Sequence, residues 1–151
     1  MPDIEKITCF SCGRLNHLDP DRLSSAGLSV RPHGPACDNC GEALLAGGAR
    51  DVDPEMLERA SLTDTLPLVV GVWAPWSQPG NAMTPQFATA ARRMRGRARM
   101  VRLNADVLAP GDRRYRVRGF PVMIAYRNGR EVARRLGAQP SERIAAWIRH
   151  L

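Results

Sequence analysis

The chain has 151 residues, of which 44% are hydrophobic and 25% charged, and it carries a formal net charge of +7. This length and composition predict one ordinary globular domain with a small appendage, able to bury a core. No apolar run reaches the roughly 20 residues that span a membrane, and the first residues lack the apolar stretch of a secretory signal, so we expect a cytoplasmic protein with no membrane partner.

The first part of the chain contains all four cysteines, in two Cys-x-x-Cys-Gly units: Cys9 with Cys12, and Cys37 with Cys40. Two intervening residues let both thiolates of a unit reach one ion, and the following glycine permits a tight turn. Four thiolates suit Zn²⁺ and close its tetrahedral shell. We therefore expect a zinc-ribbon domain over residues 1–48 with a structural zinc ion.

Three alternatives exist for this cysteine cluster. Two disulfides are disfavoured where the cytosol keeps thiols reduced, and an iron centre with the same ligands has no separate support. Oxidation of metal-bound thiolates would make the ribbon a redox sensor, which is the less favoured role for a closed Cys₄ site.

Nucleic-acid binding by this segment is also disfavoured, because the segment is near-neutral and offers few clustered cations: Arg14, Arg22 and Arg31.

The rest of the chain, residues 49–151, predicts alternating strands and helices after an Ala-Gly-Gly-Ala linker at 46–49. Asp53 and Pro54 predict a capped helix start, and the apolar run 66–73 a strand buried on both faces. The remaining predictions are a helix from Pro79 kinked at Pro85, a strand at 100–104, a weak helix at 113–117, strands at 122–126 and 131–136 joined by an Asn128-Gly129 turn, and a last helix capped by Ser141. This order predicts a three-layer α/β domain with a mixed sheet.

Residues 49–151 resemble thioredoxin. The resemblance is carried by Trp73-Ala74-Pro75-Trp76, Pro79, Pro85, Phe120-Pro121 and Asn128-Gly129. The ribbon in front makes the chain similar to the zinc-ribbon thioredoxins, the second cytoplasmic thioredoxin of bacteria. The resemblance implies a thioredoxin fold, a cis peptide at Phe120-Pro121 that faces the active-site loop, and reduction of protein disulfides as the activity of the family.

The active-site loop departs from the thioredoxin signature Trp-Ala-x-Trp-Cys-Gly-Pro-Cys. Ser77 and Gly80 stand where the family has its two cysteines, and Gln78 replaces the glycine between them. Gly71 and Arg102 replace the buried Asp and the nearby Lys of the family. Thiol–disulfide exchange needs one thiolate to attack and a second to resolve the mixed disulfide. We therefore expect a degenerate site with no intact catalytic residue.

Three functions compete. The favoured one is a redox-inactive module that binds an extended peptide or protein segment in a groove formed by Trp76, Ser77, Gln78, Pro79, Phe120 and Pro121. The alternative is a thiol-linked enzyme, either a protein disulfide reductase by resemblance or an enzyme of glutathione-type chemistry that uses Ser77.

The third function uses the concentration of arginines between Arg92 and Arg118, where ten basic residues face two acidic ones. The simplest interpretation is a solvated face, and the sharper one is a patch for an acidic protein surface. Nucleic acid is disfavoured here too, because only Tyr115 could stack on a base.

Overall fold

The computed structural model describes residues 4–23, 34–45, 48–108, 115 and 117–151. The strands are β1 (Glu5–Thr8), β2 (Leu15–Leu18), β3 (Arg50–Asp51), β4 (Leu68–Trp73), β5 (Arg99–Asn104), β6 (Val122–Arg127) and β7 (Arg130–Leu136); the helices are α1 (Pro20–Leu23), α2 (Pro54–Thr63), α3 (Gln78–Arg93) and α4 (Ser141–Arg149), with a 3₁₀ turn at Ala105–Val107. None of the helices in this described part is long and apolar enough to cross a membrane.

Two sheets organise these elements. β1 and β2 form an antiparallel pair, and the other strands form a mixed five-stranded sheet in the order β3-β5-β4-β6-β7. The central strand β4 is parallel to β5 and antiparallel to β6. Helices cover both faces: Val69 packs with α3 and α4, whereas Val70 packs with α2. The predicted three-layer α/β domain is confirmed.

Local sequence signals account for several boundaries. Asp53 caps α2 by accepting a hydrogen bond from the Met56 amide at 2.7 Å, and Pro54 occupies the first turn, where no amide donor is needed. Asn128 and Gly129 both have positive φ, as a tight hairpin turn between β6 and β7 requires. The predicted strands at 66–73, 100–104, 122–126 and 131–136 are confirmed to within about two residues.

Other predictions fare differently. The prediction that Ser141 caps the last helix is wrong, because the extended residue before the helix is Pro140, which has no side-chain donor or acceptor. The Ser141 amide instead donates to Gln86 Oε1 at 2.9 Å. Pro85 lies inside α3, as predicted, and α3 continues from Gln78 to Arg93; the kink at Pro85 stays a prediction. The weak helix at 113–117 and half of the linker at 46–49 lie outside the described residues.

A buried ion pair at the start of β5 also contacts β1. Arg99 donates to Asp64 Oδ2 at 2.7 Å and to the Thr8 carbonyl at 2.6 Å, and its guanidinium lies 3.8 Å from the centre of the Phe10 ring. The side chains of Arg99 and Asp64 are 3% and 1% exposed. The prediction of a solvated basic face is wrong for Arg99, because Asp64, from a distant part of the chain, supplies a buried carboxylate to it.

Candidate metal centre and peptide-binding loop

The four cysteine sulfurs converge on one point. All four Sγ atoms lie within 4.8 Å of one another, and the Cys9–Cys40 and Cys12–Cys37 sulfur pairs are each 3.6 Å apart. All four thiols are free, since a disulfide would bring two sulfurs to about 2.05 Å. A tetrahedral ion with Zn–S bonds of about 2.3 Å places its sulfurs about 3.8 Å apart. The cluster therefore fits a metal ion in size and donor type.

Two equivalent turns hold these sulfurs. In the first, Cys9 N donates to Arg14 O and Gly13 N donates to Cys9 O; the second repeats both bonds between Cys37, Glu42 and Gly41. Gly13 and Gly41 have φ near +80°, a left-handed conformation that residues with a Cβ rarely adopt. The Cys-x-x-Cys-Gly units thus close as the sequence predicts.

Hydrogen bonds to sulfur favour ionised thiols in this cluster. The Cys40 backbone amide lowers the pKa of the Cys37 thiol to about 6, and the Asn16 side-chain amide, 3.5 Å from the same sulfur, adds to this effect. The Glu42 amide favours the Cys40 thiolate too, but burial and the neighbouring sulfurs raise the pKa of Cys40 to about 12. Several thiolates this close repel one another, and a divalent cation removes that repulsion.

The second candidate site lies where β4 meets α3. The Ser77 amide donates to Ala74 O at 3.0 Å, the Asn81 amide donates to Ser77 O at 3.1 Å, and α3 begins at Gln78. Ser77 therefore occupies the helix N-terminus, where the helix dipole would stabilise an anion. Its side chain is buried, with 8% of its surface exposed.

An aromatic pair marks the exposed side of this loop. Trp76 is 69% exposed and meets the Phe120 ring edge to face at a centroid distance of 5.3 Å. Phe120 precedes Pro121 through a cis peptide, as the resemblance implied. Val72 of β4 pairs with Val122 of β6, so the loop that follows β4 and the Phe120-Pro121 segment that precedes β6 lie at the same end of these strands.

The remaining residues of the predicted groove lie in the first turn of α3. Gln78 and Pro79 are exposed in the first turn of α3, and Gly80 follows them in the helix. Leu136, which the sequence did not predict near the groove, is exposed, and its Cδ1 would lie 3.3 Å from a Cβ placed on Gly119. Its position at the end of a hairpin strand gave no local signal that it would meet the segment before Phe120.

The position of the buried acid is filled by a ring. Gly71 pairs with Arg102 on β5, and a Cβ added to Gly71 would lie 3.2–3.4 Å from three atoms of the Phe87 ring. The Arg102 guanidinium lies 4.5 Å from the Trp73 ring centre and forms an ion pair of 3.3 Å with Asp51. A side chain at position 71 would therefore need the Phe87 ring to shift by a few tenths of an ångström.

Comparison with known proteins decides the family. A family model described as Thioredoxin matches residues 53–150, about two thirds of the chain. This chain belongs to the thioredoxin family. The cysteine cluster lies before the residues that the thioredoxin model matches.

Individual thioredoxins match over different lengths. Thioredoxin C-3 of Corynebacterium nephridii is 25% identical over 142 residues, covering 94% of this chain and 92% of its own length, so this match takes in most of the cysteine-bearing segment. The thioredoxin of Haemophilus influenzae is 28% identical over 91 residues, which are 60% of this chain and 85% of its own.

Solved structures agree on the fold. The thioredoxin of Malassezia sympodialis has a TM-score of 0.62 and 17% identity, covering 69% of this chain and 90% of that one. Chloroplastic thioredoxin z gives a TM-score of 0.61 with 21% identity, covering 68% of this chain and 93% of its own. The five-stranded sheet with its helices is therefore a thioredoxin fold.

Proposed function

We propose that this member of the thioredoxin family is a redox-inactive module that binds an extended peptide or protein segment, with a ribbon at residues 1–48 and a thioredoxin-like domain at 49–151. The observation that carries the proposal is the loop before α3. It ends in a buried Ser77 at the position of an attacking thiol, beside an exposed Trp76.

The side chains of this loop explain why thiol–disulfide exchange is lost. A serine hydroxyl is far less acidic than a thiol and cannot exchange with a disulfide, and Gly80 has no side chain with which to resolve a mixed disulfide. Gly71 has no side chain, so it supplies no buried carboxylate as a proton acceptor. The loop keeps a helix N-terminus but no atom that can carry electrons.

The binding role rests on what the loop exposes. Trp76 and Phe120 form an aromatic surface beside the Phe120-Pro121 cis peptide. An extended segment could pair with the backbone before Pro121 while one of its side chains contacts Trp76, in the manner of strand addition. A partner with an acidic surface would also meet the exposed members of the arginine run, including Arg92, Arg93 and Arg118.

In this proposal, zinc is the metal of the cysteine cluster. Cys9, Cys12, Cys37 and Cys40 would hold it, and four sulfur ligands close its shell against substrate. The ion would supply a structural cross-link between the two turns. The apolar cluster around the turns is small, which favours a need for the metal: Ile7, Cys9, Leu18, Cys37, Leu44, Leu45 and Leu66.

A disulfide-reduction assay tests the redox half of the proposal. With thioredoxin reductase and insulin present, adding the wild-type chain should not raise the rate of insulin disulfide reduction above the rate measured without the chain. The matched variant carries Ser77→Cys and Gly80→Cys and should gain measurable turnover, because the helix N-terminus that lowers a thiol pKa is still present. Wild-type turnover comparable to that of a thioredoxin would overturn the proposal.

A peptide array tests the binding half. Thiol-free extended peptides of varied sequence should include a subset that the wild-type chain binds and that Trp76→Ala fails to bind. The control is Leu62→Ala, which truncates an exposed apolar side chain on α2 at 64% exposure. An array without binders, or equal loss in both variants, contradicts a groove anchored by Trp76.

A further inference from the structure

Arginines of the thioredoxin-like domain contact the first of the two cysteine turns. Arg99 donates to the Thr8 carbonyl at 2.6 Å, and its guanidinium lies 3.8 Å from the centre of the Phe10 ring. Arg50 Nη1 donates to Ser11 Oγ at 2.9 Å. Each of these contacts therefore involves a residue next in sequence to a cysteine of the turn.

Arg59 makes a further contact, at the glycine of this turn. A Cβ built on Gly13 would lie 2.1 Å from Arg59 Nη1, so the guanidinium occupies the space that a larger residue would need. A Cβ on Gly41, the matching glycine of the second turn, would meet no atom of the described residues within 4 Å beyond its chain neighbours. Both turns close through the same hydrogen bonds, so the domain causes this difference. Arg50 and Arg59 thus contact the residues on either side of Cys12.

The register of the sheet explains why these arginines converge. Arg50 pairs with Val101, and Arg99 lies two residues before Val101 on β5, so both arginines share the sheet face of Val101. Val101 packs in the same core cluster as Leu57 of α2. Because Arg59 belongs to this helix too, all three arginines approach the first turn from one face of the domain.

The cysteine cluster is negatively charged when it holds a divalent ion. Four thiolates contribute −4 and the ion +2, which leaves −2. Asp38 and Glu42, both exposed in and beside the second turn, add to this charge, and Arg14 is the ribbon's own cation next to the first turn. The metal-loaded ribbon therefore attracts cations of the domain.

The acidic side chains of the domain offset only part of this attraction. Arg99 shares its charge with a buried carboxylate, whereas no ion pair of the described residues involves Arg50 or Arg59. Glu55 and Glu58 lie on α2 with Arg59 and weaken its field without forming an ion pair with it. The Arg59 guanidinium itself reaches the turn, and a charge acts most strongly at the shortest distance.

We propose that Arg50, Arg59 and Arg99 form a cationic surface on which the metal-loaded first turn docks, so that the thioredoxin-like domain raises the affinity of the cysteine cluster for its metal. The metal is the zinc ion of the proposed function, on which this docking rests. Metal binding and folding of a ribbon are coupled, so contacts that only the folded ribbon makes with the domain add to the metal affinity. By reciprocity, the metal strengthens the docking by the same factor.

Zinc titrations of the full chain against a competing chromophoric chelator test this docking. We expect Arg50→Gln and Arg59→Gln each to weaken zinc binding about fivefold, as exposed charge contacts allow, and the double variant to weaken it more. Arg50→Lys and Arg59→Lys keep the charge and should weaken binding less. In about 1 M salt, where the screening length is about 3 Å, the losses in the Gln variants should shrink by at least about half.

The matched control is Arg143→Gln, which removes the same charge from an exposed residue of α4, on the opposite face of the sheet from α2. Its zinc affinity should equal that of the wild type. In the wild-type chain, removal of zinc should shift the Nε–Hε resonances of Arg50 and Arg59 and leave that of Arg143 unchanged.

The outcomes separate this docking from the metal on which it rests. A chain that binds no zinc overturns both the docking and the zinc of the proposed function. Zinc binding that is equally tight in the wild type and the Gln variants, losses that persist at high salt, or Arg50 and Arg59 resonances that do not move on zinc removal each overturn the docking alone.

Discussion

In both candidate sites of this thioredoxin-family chain, backbone amides lie close to a side chain where they would stabilise negative charge. The sites differ in that side chain, which carries sulfur in one and a hydroxyl in the other. In the ribbon, amides and the Asn16 side chain surround the sulfurs of four cysteines. At the loop, the amino end of α3 surrounds Ser77, which has no sulfur. The comparison teaches that an electrostatic setting suited to a thiolate does not show that the chemistry is present. The fold places the site, and the side chain decides the reaction.

The two regions also differ in what stabilises them. The ribbon's apolar cluster consists of residues from short strands and turns, whereas the domain has a separate cluster on each face of its sheet. We therefore expect the ribbon to depend on the metal proposed for its cysteine cluster and on its contacts with the domain, and the loop to contribute little to folding. Changes to the molecule should have their largest effects at the ribbon and their smallest at Trp76.

Metal removal should have the largest effect. Structural zinc contributes about 10–16 kcal/mol in ribbon-sized peptides, so a chelator or Cys37→Ser should unfold the ribbon and leave the five-stranded sheet folded. Hydrogen exchange should show lost protection in β1 and β2 and retained protection in β4. The control His17→Ala changes an exposed side chain in β2 and should keep one zinc per chain. Full protection of β1 after metal removal would show that the ion is not what holds the ribbon.

Breaking the buried ion pair should have the next largest effect. Replacing one partner of a buried pair leaves an uncompensated charge and costs about 3–5 kcal/mol, so Arg99→Met should lower the free energy of unfolding by that amount. The control Glu131→Gln breaks the exposed contact with Arg134, and exposed pairs contribute about 0–1 kcal/mol. Denaturant titrations measure both changes. Similar losses in the two variants would mean that the buried Arg99–Asp64 pair contributes no more to stability than an exposed one.

Local signals made much of the fold predictable. The apolar run of β4, the Asp53 cap and the Asn128-Gly129 turn each act over a few residues, so the sequence alone reveals them. The cysteine cluster was predictable for a related reason: each Cys-x-x-Cys-Gly unit closes its own turn. Only the meeting of the two units required long-range folding, and the ligand preference of zinc supplied that expectation.

Long-range contacts explain what the sequence did not predict. Arg99 belongs to an arginine run, and only the fold brings Asp64 within 2.7 Å of it. The contact between Phe87 and Gly71 joins a helix to a strand across the core, and Leu136 reaches Gly119 from the end of β7. The error at Ser141 has a local cause, because Pro140 takes the cap position one residue earlier.

Returning the acid of the thioredoxin pattern to the loop region should have an intermediate effect. Gly71→Asp places a Cβ 3.2–3.4 Å from the Phe87 ring, and overpacking of this kind costs about 1–3 kcal/mol, with a further cost for the buried carboxylate. Adding Phe87→Leu should recover part of the loss, because the smaller side chain makes room. Chemical denaturation of the two single variants and the double variant measures this coupling. Strict additivity would show that the ring is not the obstacle.

The smallest effect on stability should come from Trp76. Because this side chain is 69% exposed and its aromatic partner among the described residues is Phe120, Trp76→Ala should lower the free energy of unfolding by about 1 kcal/mol or less. Trp147→Ala is the control: Trp147 packs against the core cluster beneath α4, and its truncation should cost more, up to about 3–5 kcal/mol. Thermal or chemical denaturation compares the two. A large exposed tryptophan that the fold does not need is available for a partner, whereas equal losses at Trp76 and Trp147 would make Trp76 a packing residue and remove the main support for the groove.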